Sequence, residues 1–207
     1  MNKIFGLGLS KTGTTSLNQA LNQLGYRTLH FPSDGTTESE IYQFLKGTTQ
    51  QLRLTILDSY DGITDQPVCP IYKALDRSYP GSKFIMTVRE KQDWLRSCAK
   101  HWKAVERQRA LAPQRHADWG YIDYIRKVVY GTTQYDTTIF SAVYDTHYQD
   151  VFNYFSCRQQ DLLVLDVVRG SGWDALCPFL GVNAPEAPFP WLNRSAPNLG
   201  EEEIQAD

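Results

Sequence analysis

Met1-Asn2-Lys3-Ile4-Phe5-Gly6-Leu7-Gly8-Leu9-Ser10-Lys11-Thr12-Gly13-Thr14-Thr15-Ser16-Leu17 is the stretch that decides how the rest of the chain is read. The apolar run Ile4–Leu9 predicts a buried strand. It breaks into small and hydroxyl-bearing residues around one cation, Lys11, and a helical pattern follows from Leu17. Strand, small-residue loop and helix make an anion cradle in α/β proteins. The first N–H groups of the helix have no internal acceptors, and the helix dipole favours negative charge beside them. A loop chosen only for turn and capping chemistry is the competing reading. The buried strand and the single Lys favour a phosphate-bearing ligand.

Spacing narrows the type of cradle. A Walker A loop needs Gly, four residues, then Gly-Lys-Ser/Thr. Gly8 and Gly13 have that separation, but Thr14 stands where the Lys belongs. The dinucleotide fingerprint G-x-G-x-x-G fails as well, because Lys11 occupies its third glycine position. What remains, Lys11-Thr12-Gly13-Thr14-Thr15, resembles the 5′-phosphosulfate loop of sulfotransferases that use 3′-phosphoadenosine-5′-phosphosulfate (PAPS). The pattern there is Pro/Ser-Lys-Ser/Thr-Gly-Thr-Thr. The resemblance implies that Lys11, Thr12, Gly13, Thr14, Thr15 and Ser16 hold the 5′ side of PAPS, with 3′-phosphoadenosine-5′-phosphate (PAP) as product.

A second motif sits where the first requires it. Lys83–Val88 is another apolar, β-branched run, followed by Arg89 and a helical pattern from Glu90. Ligands of open α/β sheets bind beyond the carboxyl ends of the strands, so Arg89 is expected over the same edge as Lys11. The same family holds the 3′-phosphate with an Arg at a strand end and a Ser eight residues later, and Arg89 and Ser97 have that spacing. A planar guanidinium suits phosphate through bidentate, charge-assisted bonds. Tyr144–Phe155, Leu162–Asp166, Gly172–Gly181 and Phe189–Asn193 are similar to the C-terminal half of the compact bacterial-type members. Two departures stand out. Ser16 replaces the Trp on which adenine stacks in the cytosolic enzymes. Their Arg-Lys-Gly loop over the 3′-phosphate is missing, with Asn193-Arg194-Ser195 the candidate in its place.

The expected fold is α/β: a mostly parallel central sheet with helices on both faces, in the P-loop-NTPase-like form of the sulfotransferases. Strands are expected at 3–9, 26–30, 52–57, 83–88 and 162–166. Helices are expected at 14–24, near 41–45, 71–79, about 91–109, 119–130, 137–156 and 172–180, with 33–40 a polar loop. The 207 residues suit one domain, with 197–207 a flexible acidic tail. A net charge of −2 offers no broad basic surface for nucleic acid. Cys69, Cys98, Cys157 and Cys177 form no C-x-x-C pair and fit reduced thiols. Neither a signal-peptide pattern nor an eighteen-residue apolar run occurs, so a cytoplasmic location away from membranes is expected.

The resemblance implies sulfuryl transfer to a small-molecule acceptor, an in-line displacement like phosphoryl transfer, with Lys11 beside the bridging oxygen. No metal is expected: His30, His101, His116 and His147 share no ligand-like spacing. The base that takes the acceptor's proton has three candidates. Asp65, in Thr64-Asp65-Gln66-Pro67, occupies the position of the His in the cytosolic enzymes' Thr-His-Leu-Pro segment, but equally suits a cap before Pro67. His30 ends the second strand. His147 is the third, with packing on its helix the competing role. Tyr121, Tyr124 and Val128, and Tyr144, Tyr148, Val151 and Phe155, lie at helical spacing. They serve as core or as the wall of an acceptor pocket. Two other classes stay open: a P-loop kinase-like phosphotransferase and a non-catalytic nucleotide-binding module.

Overall fold

A computed structural model of the chain describes residues 2–111 and 119–192. Five parallel strands form one sheet: β1 (Ile4–Gly6), β2 (Thr28–His30), β3 (Gly62–Thr64), β4 (Lys83–Thr87) and β5 (Leu162–Leu165), in the order β2-β3-β1-β4-β5. Among the described residues seven α-helices surround it: α1 (Thr14–Gln23), α2 (Gly35–Leu45), α3 (Val68–Ser78), α4 (Lys91–Leu111), α5 (Gly120–Tyr130), α6 (Thr137–Tyr154) and α7 (Trp173–Leu180). The expected α/β architecture is therefore present.

Alternation along the strands builds the two faces. Ile4, Ile85 and Leu165 pack with Leu17, Leu21 and Leu176, against α1 and α7. Phe5, Ile63, Phe84 and Met86 point the other way, to Ile71 and Leu75 of α3, Ile125 of α5 and Val151 of α6. A third apolar cluster, Leu9, Trp94, Cys98, Trp102, Tyr130 and Phe140, joins the loop after β1 to α4, α5 and α6.

Three expectations need correction. The run Leu52–Leu57 is not a strand: Thr55–Asp58 forms a 3-10 turn, and β3 lies further on at Gly62–Thr64. Leu52, Leu54 and Leu57 are buried, which gave the apolar signal. Side chains satisfy the backbone there instead of a sheet partner. Leu54 N–H donates to Tyr79 Oη at 2.9 Å, and Thr55 N–H to Glu40 Oε2 at 2.9 Å. Residues 33–40 are not a loop either, because Asp34 caps α2 by accepting from Thr37 N–H at 2.9 Å. The first strand ends at Gly6, and Leu7–Leu9 already belong to the loop.

Register brings the site together. His30 pairs with Thr64, and Gly6 with Thr64 and Ile85, so the carboxyl ends of β2, β3 and β1 lie level. Lys11, Phe31 and Asp65, which follow those strands, are the non-glycine residues with positive φ among the described residues. Backbone strain thus gathers at one edge of the sheet, as it does at functional sites.

Candidate active site at the carboxyl edge of the sheet

Many of the bonds that hold the loop between β1 and α1 go to its carbonyl groups. Leu7 O accepts from His147 Nε2 at 2.8 Å, and the Cys69 thiol donates toward Leu7 O and Gly8 O. Leu9 O accepts from the Thr12 hydroxyl at 2.6 Å, Ser10 O from Trp94 Nε1 at 2.9 Å, and Lys11 O from Arg89 Nη1 at 3.4 Å. Five successive carbonyls are therefore drawn into the protein. The negative ends of the peptide dipoles are tied back, and the loop's other side is left electropositive before any ligand arrives. His147, Trp94 and Cys69 do this from distant parts of the chain. Burial pushes the His147 imidazole below its ordinary value, so a neutral ring donates to Leu7 O. His147 thus serves as a tie between α6 and the loop after β1.

The backbone conformation matches. Lys11 has φ 75° and Gly13 φ 108°, so two left-handed residues flank Thr12 and curl the chain into a concavity. Gly13 stands at the N-cap of α1, where no side chain caps the helix. Carboxylates fill that role on three helices, Asp34 on α2, Asp136 on α6, and Glu90 accepting from Gln92 and Asp93 N–H at the start of α4, whereas α3, α5 and α7, like α1, have no side-chain cap. The first-turn N–H groups of α1 remain available to an external anion. Gly8 has no room for a side chain, since a Cβ there would lie 2.0 Å from Thr87 Oγ1 and 2.7 Å from Thr87 O.

The residues expected to hold the 5′ side divide in two. Thr14 and Thr15 begin α1 at the cradle, with Lys11 before them. Thr12 is fully buried; its hydroxyl donates to Leu9 O and meets Thr87 Oγ1 at 2.7 Å. Ser16 is also buried, and its Oγ accepts from Leu192 N–H at 3.0 Å. Both hydroxyls are engaged inside the protein, Thr12 against Thr87 of β4 and Ser16 against the chain at 192, so these two side chains brace the cradle.

Arg89 follows β4 and is half-buried. Its backbone carbonyl accepts from Tyr144 Oη at 2.6 Å, its Nη1 reaches the loop at Lys11 O, and its Nε is buried without a hydrogen-bond partner. An orphaned guanidinium N–H beside an anion cradle fits an oxyanion ligand. Ser97 lies half-buried on α4 beside Cys98. Burial pushes the Cys98 thiol up to about 12, against the pull of Lys11 and Arg89. Cys98, the neighbour of Ser97, is thus within electrostatic reach of both cations. Arg194 lies outside the described residues.

The two strongest candidates for the base are in contact. His30 Nε2 is 3.3 Å from Asp65 Oδ2, and Ser10 Oγ donates to Asp65 Oδ1 at 2.6 Å. His30 Nε2 also lies 3.2 Å from Thr15 Oγ1, and Nδ1 lies 3.2 Å from Thr64 Oγ1. The Thr64 hydroxyl in turn donates to Asn18 Oδ1 at 3.3 Å, so both ring nitrogens of His30 are held by polar neighbours, Nδ1 by Thr64 and Nε2 by Asp65 and Thr15. Ser10 and Thr15 thus link the pair directly to the loop that carries Lys11.

The aromatic stripes split as well. Val151 and Phe155 are core, Tyr121, Tyr124 and Tyr148 pack partly buried against it, and Val128 faces outward. Among the described residues no helix is long and apolar enough to cross a membrane.

In Aspergillus versicolor, Ava biosynthesis cluster protein M is 27% identical over 219 aligned positions, covering 95% of this chain and 83% of that protein. The sulfotransferase from Alicyclobacillus acidocaldarius superposes with a TM-score of 0.53 at 16% identity, over 88% of this chain and 82% of that one; this likeness speaks for the fold alone. The sulfotransferase domain profile matches residues 3–197, and the chain belongs to the sulfotransferase family.

Proposed function

We propose that this sulfotransferase takes its sulfuryl group from PAPS, delivers it to a hydroxyl or amine of a small-molecule acceptor, and releases PAP. One observation carries the reading: the electropositive loop around Lys11 and the His30–Asp65 pair are joined through Ser10 and Thr15. An anion site and a proton acceptor that share two residues suit group transfer from an anionic donor. The orphaned Nε of Arg89 supports a second phosphate, as on PAPS. All four cysteines are free thiols, three of them buried, which supports a reducing, cytoplasmic setting.

Bound PAPS supplies an activated sulfuryl group on a phosphate leaving group. Lys11 and the first-turn N–H groups of α1 receive the 5′-phosphosulfate, and Arg89, with Ser97, receives the 3′-phosphate. As the sulfur–oxygen bond to phosphate breaks, the Lys11 ammonium offsets the charge that grows on the departing oxygen. The acceptor oxygen or nitrogen forms the new bond to sulfur, and its proton passes to the His30–Asp65 pair. Ser10 and Thr64 hold that pair in place.

Ligand choice tests the reading. PAP raises the melting temperature by mass action, and ATP with Mg²⁺ does so far less. Equal stabilisation by the two in a thermal-shift titration would overturn it in favour of a kinase-like reaction. PAP binding without turnover across a broad acceptor panel would favour a non-catalytic module.

A further inference from the structure

We propose that the acceptor carries an oxyanionic group, a carboxylate or its like, and that Arg126 receives it; this rests on the sulfotransfer reading above. Arg126 lies on α5, outside every motif of the donor site. It is 6% exposed, with its guanidinium carbon 5.2 Å from the centre of the Trp102 ring. Among the described residues it makes no hydrogen bond, and its Nη1 is buried without a partner. Among the described residues it pairs with Asp123 Oδ1 at 3.8 Å. Asp123 is already gripped through both oxygens by Arg109. Two guanidinium groups therefore share one carboxylate, and among the described residues the more deeply buried one reaches it only at 3.8 Å, without a hydrogen bond. A buried cation whose donors are left unmet is costly unless something further pairs with it.

The neighbouring groups suit the same chemistry. Trp102 Nε1, in the ring against Arg126, is buried without a hydrogen-bond partner and only donates. Beyond it, 5.3 Å from the Trp102 ring, lies the Tyr130 ring, with Gln66 beside its hydroxyl, and neither Tyr130 Oη nor Gln66 Nε2 has a well-formed hydrogen bond. Groups that can all donate suit an electron-rich oxygen group better than a cation or a hydrocarbon.

This cluster adjoins the transfer site. Gln66 follows Asp65 in the chain. His101, next to Trp102 on α4, lies within electrostatic reach of Lys11, Arg126 and Asp65 together. An acceptor whose nucleophile meets the His30–Asp65 pair would extend its anionic end toward Arg126. The field of Lys11, Arg109 and Arg126 would also draw such a molecule in.

The test uses the full chain saturated with PAP and a panel of hydroxyl and amine acceptors in matched pairs. Each pair holds a free carboxylate and its neutral primary amide, for example 4-hydroxyphenylacetate and 4-hydroxyphenylacetamide. Binding is read by calorimetry, and turnover with PAPS in its place. At least one carboxylate is expected to bind or turn over about tenfold better than its amide, a difference of about 1.4 kcal/mol. Arg126→Gln should collapse that preference to about twofold or less while PAP affinity stays near wild type. Arg126→Lys keeps the charge without the fork and should retain only part of the preference, which covers the case in which the Gln variant fails to fold. No carboxylate preference in any pair, or one that survives in Arg126→Gln, overturns the proposal. Failure of PAP itself to bind overturns the sulfotransfer reading instead.

Discussion

His30 and Asp65 come from the ends of different strands, β2 and β3, and meet with Nε2 and Oδ2 3.3 Å apart. Neighbouring parallel strands whose ends lie level bring the residues just beyond them together, and Asp65 adopts φ 72° to turn back toward the ring. The two candidates for the base are thus one unit. Asp65→Asn keeps the shape and removes the carboxylate; His30→Gln removes the imidazole. Each is expected to lower turnover by roughly 10²–10⁴ while PAP affinity stays within a few-fold of wild type. The double variant should be little worse than the poorer single one, since parts of one proton-accepting device are not additive. Steady-state turnover and PAP calorimetry on the four proteins check this; fully additive losses would mean that the residues act separately.

Arg89 and Lys11 divide the donor between them. Arg89→Ala should weaken PAP by roughly 1.5–3 kcal/mol but adenosine 5′-phosphosulfate much less, because only PAP has a 3′-phosphate. Lys11→Ala should weaken both nucleotides and lower turnover further still, since its ammonium meets more charge in the transition state than in the ground state. Calorimetry with both nucleotides separates the two roles, and an equal loss of both in Arg89→Ala would place Arg89 on the 5′ side.

Gly8 is a packing requirement. An added Cβ would press on Thr87 Oγ1 and on the Thr87 carbonyl, and would part Thr87 from Thr12. Gly8→Ala is expected to cost about 1–3 kcal/mol, as overpacking of a tight site does, and to lower the melting temperature. The displaced loop should also bind PAP more weakly. Denaturant unfolding and PAP titration of the same variant read both effects.

The fold was legible because the strong signals are local. Ile4–Leu9 and Lys83–Val88 carry the buried strands, and Lys11 and Arg89 follow them directly. What stayed hidden depends on contacts between distant parts of the chain. Leu52, Leu54 and Leu57 bury apolar side chains from an irregular segment, and an apolar run alone cannot distinguish that from a strand. Gly62-Ile63-Thr64 is too short and too glycine-bearing to announce itself, yet it sets Asp65 beside His30. No spacing rule links His147 or Trp94 to the carbonyls of the loop after β1. Nothing in the sequence sets Arg126 apart from the other helical cations, because its burial and the unmet Nη1 come from packing. Thr12 and Ser16 match the motif by type, but only packing shows that their hydroxyls turn inward.

His101 gives the molecule an acid sensitivity that can be isolated. Burial first, then the positive charges of Lys11 and Arg126, push its imidazole from the ordinary 6.5 down to about 4, with Asp65 opposing weakly. The depressed value means that the unfolded chain binds this proton more readily than the folded one. Stability from the neutral ring is complete above pH 6.5 and is lost as pH falls through the window from 6.5 to about 4. Because the ring is only partly buried, the loss is on the order of 1–2 kcal/mol across that window. His101→Gln cannot take up the proton, so its stability should fall less steeply between pH 7 and pH 5. Carboxylates titrate alike in both proteins and cancel in the difference. Urea unfolding at half-unit steps of pH gives the two curves; parallel curves over the whole range would show that His101 is not held neutral by its surroundings.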